Sequence, residues 1–274
     1  MQNLNPPTVD PDNTFEAIVN AKMGQRRNQL RTLTPQVQQR FSEYANCRME
    51  LARINPSPFN GGERDDLLHC YEVSTLPLSK LKASIRTAQR PNLQHVCQYC
   101  GFAPASGFDH YLAKSIYPEF SVNALNLIPS CSECNGLKDD KFLSDGSRSF
   151  VNFYYDAIPT QRFLFAYLIF TQGYPVVQFQ LQNNGQIDLE MFRRLESHFL
   201  NLNLYVRLKQ FSTSSIAEAR AVVIANASPG DGATEIAGLY QTAANALFRE
   251  FSPNHWKASL FEALSRSEQF CEMR

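Results

Sequence analysis

Net charge is the first thing this 274-residue chain lacks: 26 Lys and Arg residues balance 26 Asp and Glu. A molecule that grips a polyanion through an overall positive field is thereby excluded, so any such contact needs a local basic face. A second absence is a run apolar enough to cross a bilayer. The longest, Phe163 to Phe170, falls far short of the ~20 residues a membrane helix needs. The stretch from Met1 to Asp12 is polar and proline-containing, with neither a basic n-region nor an apolar h-region, so no secretory signal is visible. Internal repeats and low-complexity tracts are absent as well. What is present, 43% apolar and 19% charged residues, describes an ordinary globular protein. The expectation is a soluble cytoplasmic protein with no membrane association.

Without a secretory signal, the seven cysteines read as metal ligands rather than disulfides. Cys47, Cys70 and Cys271 stand alone and read as small apolar fillers. The other four fall into two knuckles, Cys97-x-x-Cys100 and Cys131-x-x-Cys134. Zinc prefers four soft ligands in a tetrahedron, and two such knuckles deliver them with little loop strain. With every position filled by protein no place remains for a reactive water, so the zinc should be structural. Its binding would help fold a segment too small to bury a core alone. A redox role does not suit two such pairs flanking one short segment without a surrounding βαβ pattern.

The pattern predicts a mainly α, α+β protein: helical N- and C-terminal regions around a small zinc-stapled ββα unit. Three regions follow, 1–90, 91–146 and 147–274. Thr34-Pro35 reads as a helix start, with Val37, Phe41, Tyr44, Ala45 and Leu51 at helical spacing up to about Ile54. Asn55 to Gly62 reads as loop, and a second helix covers Leu78 to Gln89. Phe150 to Phe170 reads as helical in its second half. Val177, Phe179 and Leu181 suggest a strand entering a hairpin turn at Asn184-Gly185. Helices are expected over Asp188 to Leu204, from a capping box at Ser215-x-x-Glu218 to about Asn226, over Thr234 to Phe251, and over Pro253 to Glu272.

Between the knuckles lie Phe108-Asp109-His110-Tyr111-Leu112 and Asn126-Leu127-Ile128-Pro129. The second knuckle runs on as Cys134-Asn135-Gly136-Leu137-Lys138. Apolar neighbours put Asp109-His110 on a strand, and Asn126 opens a second stretch returning toward it. Ser132 can cap a helix on which Asn135 and Lys138, three apart, share a face. Taken singly, Asp109 could cap a turn, Asn126 satisfy a bend and His110 sit quietly half-buried. Taken together, a carboxylate, an imidazole and two carboxamides beside a metal staple can run hydrolytic chemistry.

This segment, from Cys97 to about Lys141, resembles the HNH (ββα-metal) endonuclease family in its four-cysteine form. The resemblance implies His110 as the general base that activates water. It implies Asp109 and Asn135 as ligands of a catalytic divalent cation, Mg2+ or Mn2+, Asn126 as the residue orienting the His110 ring, and Lys138 near the phosphate. Phosphodiester hydrolysis needs an activated water, a neutraliser of phosphate charge and help for the leaving oxygen. An imidazole titrating near neutrality suits the first task, and a hard cation with oxygen ligands suits the others. Ala113 stands where many relatives have proline, and Gly136 costs a helix ~1 kcal/mol. Neither removes a reactive group.

Outside the segment, Lys82, Arg86 and Arg90 recur at every fourth position and give a basic stripe for phosphate contact, or simply a solvated helix face. His95 reads as a solvated loop residue, and His198 and His255 as structural. Glu196-x-His198-Phe199-x-x-Leu202, after the aromatic Phe153-Tyr154-Tyr155, is similar to the HNH component of Septu-type and retron-linked antiphage systems, which implies an ATPase partner in a prokaryote. The expected function is a metal-dependent nuclease acting on nucleic acid, foremost DNA. Its rivals are a catalytically silent zinc module that binds nucleic acid or protein, and an RNA-directed nuclease.

Overall fold

The computed structural model describes residues 1–144, 146–228 and 230–273. Among the described residues the fold is mainly helical, 54% counting ten α-helices and the short 3-10 turns, with a few small antiparallel sheets. No helix among the described residues is long and apolar enough to cross a membrane. The chain divides into two compact units: Asn3–Ala157, and Ile158–Arg274 joined by Met1–Gln2. The helices before position 90 and the cysteine-bearing segment therefore belong to one unit.

In the first unit, α1 (Pro11–Asn20) is capped by Asp10, whose carboxylate accepts from the Asn13 N–H at 2.7 Å. Next, α2 (Gly24–Cys47) buries Leu30, Leu33, Val37, Phe41 and Tyr44 along one stripe. The helix start read at Thr34-Pro35 is corrected: α2 begins at Gly24 and passes straight through Pro35. The ring is tolerated because Pro35 and Arg31, whose carbonyl loses its partner, both lie on the exposed face. The Thr34 hydroxyl donates to Leu30 O at 2.9 Å instead of capping. The loop read to Gly62 is shorter too, for Gly61 and Gly62 open α3 (Gly61–Glu72), with Gly61 at φ +50°. Helix α4 spans Leu76–Thr87 with Thr75 as its cap.

Strand β1 (Gly107–His110) pairs antiparallel with β2 (Leu127–Ser130), His110 opposite Leu127 and Gly107 opposite Ser130. Helix α5 (Ser132–Lys138) follows at once and packs on β1, completing the expected ββα order. A short ladder of β3 (Leu143–Ser144) and β4 (Ser147–Arg148) comes after it. The connection from β1 to β2 is pinned to the N-terminal helices. Glu119, fully buried in the 3-10 turn Pro118–Phe120, accepts from Arg40 Nε at 2.9 Å and from the Ser57 hydroxyl at 2.7 Å. Arg40 Nη2 also donates to Asn55 O at 2.8 Å, and the guanidinium lies over the Phe120 ring.

The second unit centres on a hairpin, β5 (Leu164–Thr171) paired with β6 (Tyr174–Leu181). The helix read over this apolar run is corrected to a strand. Eight apolar residues do not separate the two states by periodicity, and the aromatic and β-branched content favours pairing. The hairpin turn likewise falls at Gln172-Gly173, at φ +52° and +80°, the two positive angles of a type I′ turn. Asn184-Gly185 instead leads into α6 (Leu189–Asn201). Helix α7 (Leu204–Asn226) starts well before Ser215, which is buried within it rather than capping. After α8 (Ala233–Glu250), the last stretch breaks into α9 (Trp256–Ser265) and α10 (Glu268–Glu272), with Ser267 capping the second. Buried Asn254 holds the hairpin's entry. Its Oδ1 accepts from Phe163 N at 2.7 Å and Leu164 N at 3.1 Å, and its Nδ2 donates to Gln161 O at 2.9 Å. His198 is fully buried in α6.

Removing one partner of a buried ion pair strands the other charge at about 3–5 kcal/mol. Glu119→Ala is expected to lower the urea-unfolding free energy of the Asn3–Ala157 unit by that order. An unchanged midpoint would show that the Arg40 contact adds nothing.

Candidate functional site

The two knuckles meet because each is tied to β2. Gln98 N donates to Pro129 O at 3.0 Å, placing the first knuckle alongside the strand, while Cys131 is the residue after it. Gly101, at φ +74°, turns the chain behind Cys100, and its N–H donates to Cys97 O at 2.8 Å. Cys131 itself caps α5, its Sγ accepting from Cys134 N at 3.4 Å, so the cap read at Ser132 is corrected by one position.

All four Sγ atoms are buried and lie within 4.8 Å of one another. A tetrahedral zinc with Zn–S near ~2.3 Å sets the S···S edge at about 3.8 Å, so these ligands fit the ion. Hydrogen bonds among the sulfurs drive the Cys131 thiol down and the Cys97 and Cys134 thiols up. Held as thiolates at this spacing, the four sulfurs would repel one another, and a dication at their centre would offset that repulsion.

Asp109 and His110 stand side by side on β1 and face different surroundings. His110 is 7% exposed, and its Nε2 lies 2.9 Å from Ser121 O. A carbonyl only accepts, so Nε2 carries the proton and Nδ1 keeps the lone pair. Burial drives the imidazole down to about 3, the Ser121 bond opposes this, and the charges of Lys114, Lys138 and Lys82 add to it. The ring is thus neutral near pH 7, and it departs from the expected imidazole titrating near neutrality because burial disfavours its charged form. Tyr71, from α3, meets it edge-on at 4.4 Å, and the Tyr71 hydroxyl donates to Phe108 O at 3.3 Å. Helix α3 also holds Ser121, whose hydroxyl donates to Leu67 O at 3.1 Å.

Asp109 is turned inward. Its Oδ2 lies 3.0 Å from Lys138 Nζ and accepts from the Tyr99 hydroxyl at 2.7 Å. Burial pushes this carboxyl up, opposed by the Lys138 charge and the Tyr99 hydrogen bond. Lys138 is fully buried and donates its other bond to His110 O at 2.8 Å. Expected beside the phosphate, it is instead an internal link between α5 and β1. Asn135, on the same helix, is exposed. As arranged, one carboxylate oxygen already shared by an ammonium and a phenol, with an exposed carboxamide, does not fit a divalent cation.

Asn126 is also fully buried, and it grips backbone rather than the imidazole. Its Nδ2 donates to Leu112 O at 3.0 Å and Phe120 O at 3.2 Å, and its Oδ1 accepts from Leu112 N at 2.8 Å. It sets the loop that carries Ser121, and Ser121 sets the ring. Arg86 is likewise committed, donating to Gln94 O and Ala105 O at 3.1 Å each and lying over the Phe108 ring. Arg90 is exposed at the entry to a 3-10 turn, and His95 lies in the loop before the first knuckle. Tyr71, Tyr99 and Ser121 escaped the sequence reading. Only Tyr99 had a visible signal, an aromatic inside a metal knuckle.

No family model matches the sequence, and no solved structure matches it. The chain is 27% identical over 192 residues to Protein ea31 of Escherichia phage lambda, an overlap of 64% of this chain. It covers 62% of the phage protein's length.

Purified protein is expected to carry one zinc per chain by elemental analysis. Cys100→Ser or Cys131→Ser should lose that metal and unfold at lower temperature. A zinc-free preparation with undiminished stability would refute the structural role.

Proposed function

We propose that this protein is an HNH-type endonuclease hydrolysing phosphodiester bonds, foremost in DNA, with structural zinc at the four cysteines and a dependence on magnesium or manganese that would require Asp109 to exchange its Lys138 contact for the ion. The observation that carries the reading is the state of His110. Its Nε2–H is committed to Ser121 O, which leaves the lone pair on Nδ1, the atom that would take the proton. In the proposed step a water oxygen bonds to phosphorus and gives its proton to Nδ1. The bond to the departing nucleoside oxygen breaks, and that oxygen takes a proton from solvent. The order of β1, β2 and α5 with the knuckles at the hairpin's base supports the family resemblance. Likeness to a phage lambda protein supports a prokaryotic or phage setting. The ATPase partner and antiphage role rest on the resemblance alone.

A second reading, the silent zinc module, is favoured by one observation: Asp109 is buried and already paired with Lys138. Plasmid nicking separates the two. With magnesium or manganese, wild type should nick supercoiled DNA. His110→Ala should cut slower by a factor on the order of 10²–10⁴ while keeping its zinc and circular dichroism spectrum. Equal rates for both proteins would overturn the assignment of the base. Failure of wild type to cut matched DNA and RNA substrates with either ion would leave the binding module as the better reading.

A further inference from the structure

The charges of Lys114, Lys138 and Lys82 act on His110, and two of these are already answered, as is Arg86 nearby in the chain. Lys138 is buried against Asp109, Lys114 pairs with Glu72 at 2.6 Å, and Arg86 holds two backbone carbonyls. Lys82 differs. Among the described residues it makes no ion pair and no hydrogen bond. Its ammonium sits half-buried, 4.1 Å from the centroid of the Tyr71 ring. The same ring meets the His110 imidazole at 4.4 Å, so a single aromatic side chain connects the two. The ring itself is fixed by its hydroxyl bond to Phe108 O, and burial holds that phenol neutral by pushing it up to about 12.

A partly desolvated charge with only an aromatic face for company is incompletely compensated. Burial accordingly lowers the Lys82 ammonium from its ordinary range. An incoming anion would restore what desolvation removed. A phosphodiester is such an anion: its nonbridging oxygen accepts from an ammonium at ~2.7–2.9 Å.

We propose that Lys82, seated on Tyr71, is the phosphate-binding cation of this site and holds a nucleic-acid phosphodiester beside His110, the role that Lys138 is too deeply buried to fill. The inference rests on the nuclease reading for its catalytic consequence, but the binding claim is measurable by itself.

Two readouts test it on the full-length protein. The first is fluorescence anisotropy with a short DNA duplex, without added divalent cation, across a salt series. Lys82→Gln should lower the slope of log affinity against log salt by about one phosphate contact, near ~0.9, and Lys82→Arg should restore it. The second is plasmid nicking, where kcat/KM should fall by roughly tenfold in Lys82→Gln, as expected for losing ~1.4 kcal/mol of charge-assisted contact, and recover in Lys82→Arg. If Lys82→Gln keeps both the wild-type slope and the wild-type kcat/KM, the proposal is overturned. A wild type that does not cut, combined with a slope that falls in Lys82→Gln, would sink the nuclease reading and leave the phosphate site standing. No cutting and an unchanged slope would sink both.

Discussion

The buried ion pair between Asp109 and Lys138 is the contact on which the rest of the site depends. It joins the middle of β1 to the last turn of α5, and Tyr99, from between the first two cysteines, donates to the same carboxylate. Strand, helix and first knuckle therefore converge on one oxygen. Taking two charges out of water is costly, and their attraction offsets that only when their remaining hydrogen bonds are made. Here they are: Lys138 reaches His110 O, and Asp109 accepts from Tyr99. The same pairing limits what Asp109 can do. A carboxylate held this way is a poor candidate for a metal shell, whatever its place in the sequence.

Above this link, His110 is controlled by elements far away in the chain. Helix α3 presents Tyr71 to the imidazole and anchors Ser121, which fixes the ring's tautomer. In turn α3 is pinned at its end by Lys22, whose Nζ donates to His69 O and Val73 O, and along its length by Arg26 on Asp66. The loop between β1 and β2 hangs on Glu119, which is held by α2. The N-terminal helices thus form the wall of the site, and this explains why they share one compact unit with the cysteine-bearing segment.

Where local reading went astray, a longer-range term had overridden a local one. Pro35 sits inside α2 because the apolar stripe from Leu30 to Tyr44 gains more from burial than the helix loses at one solvent-facing carbonyl. Phe163 to Phe170 could be helix or strand by composition, and the Gln172-Gly173 turn with β6 across from it decides for strand. Ser215 matches a capping box, yet the helix that contains it was already running from Leu204.

The sequence by itself determined the features that depend on residue type and spacing over a short span. These are the paired cysteines, the strand bearing Asp109 and His110, the returning strand after Asn126, and the helix that follows. Thiol spacing and side-chain alternation are local properties, so they are legible without neighbours. Only the tertiary structure decided which ionisable groups would be spent on each other. Lys138 and Lys82 look alike in sequence, each a lysine on a helix. One is closed in by Asp109, His110 and Phe150, while the other rests on Tyr71 with its charge unanswered. That difference arises from burial and partner geometry, which belong to the packed fold and not to any stretch of chain.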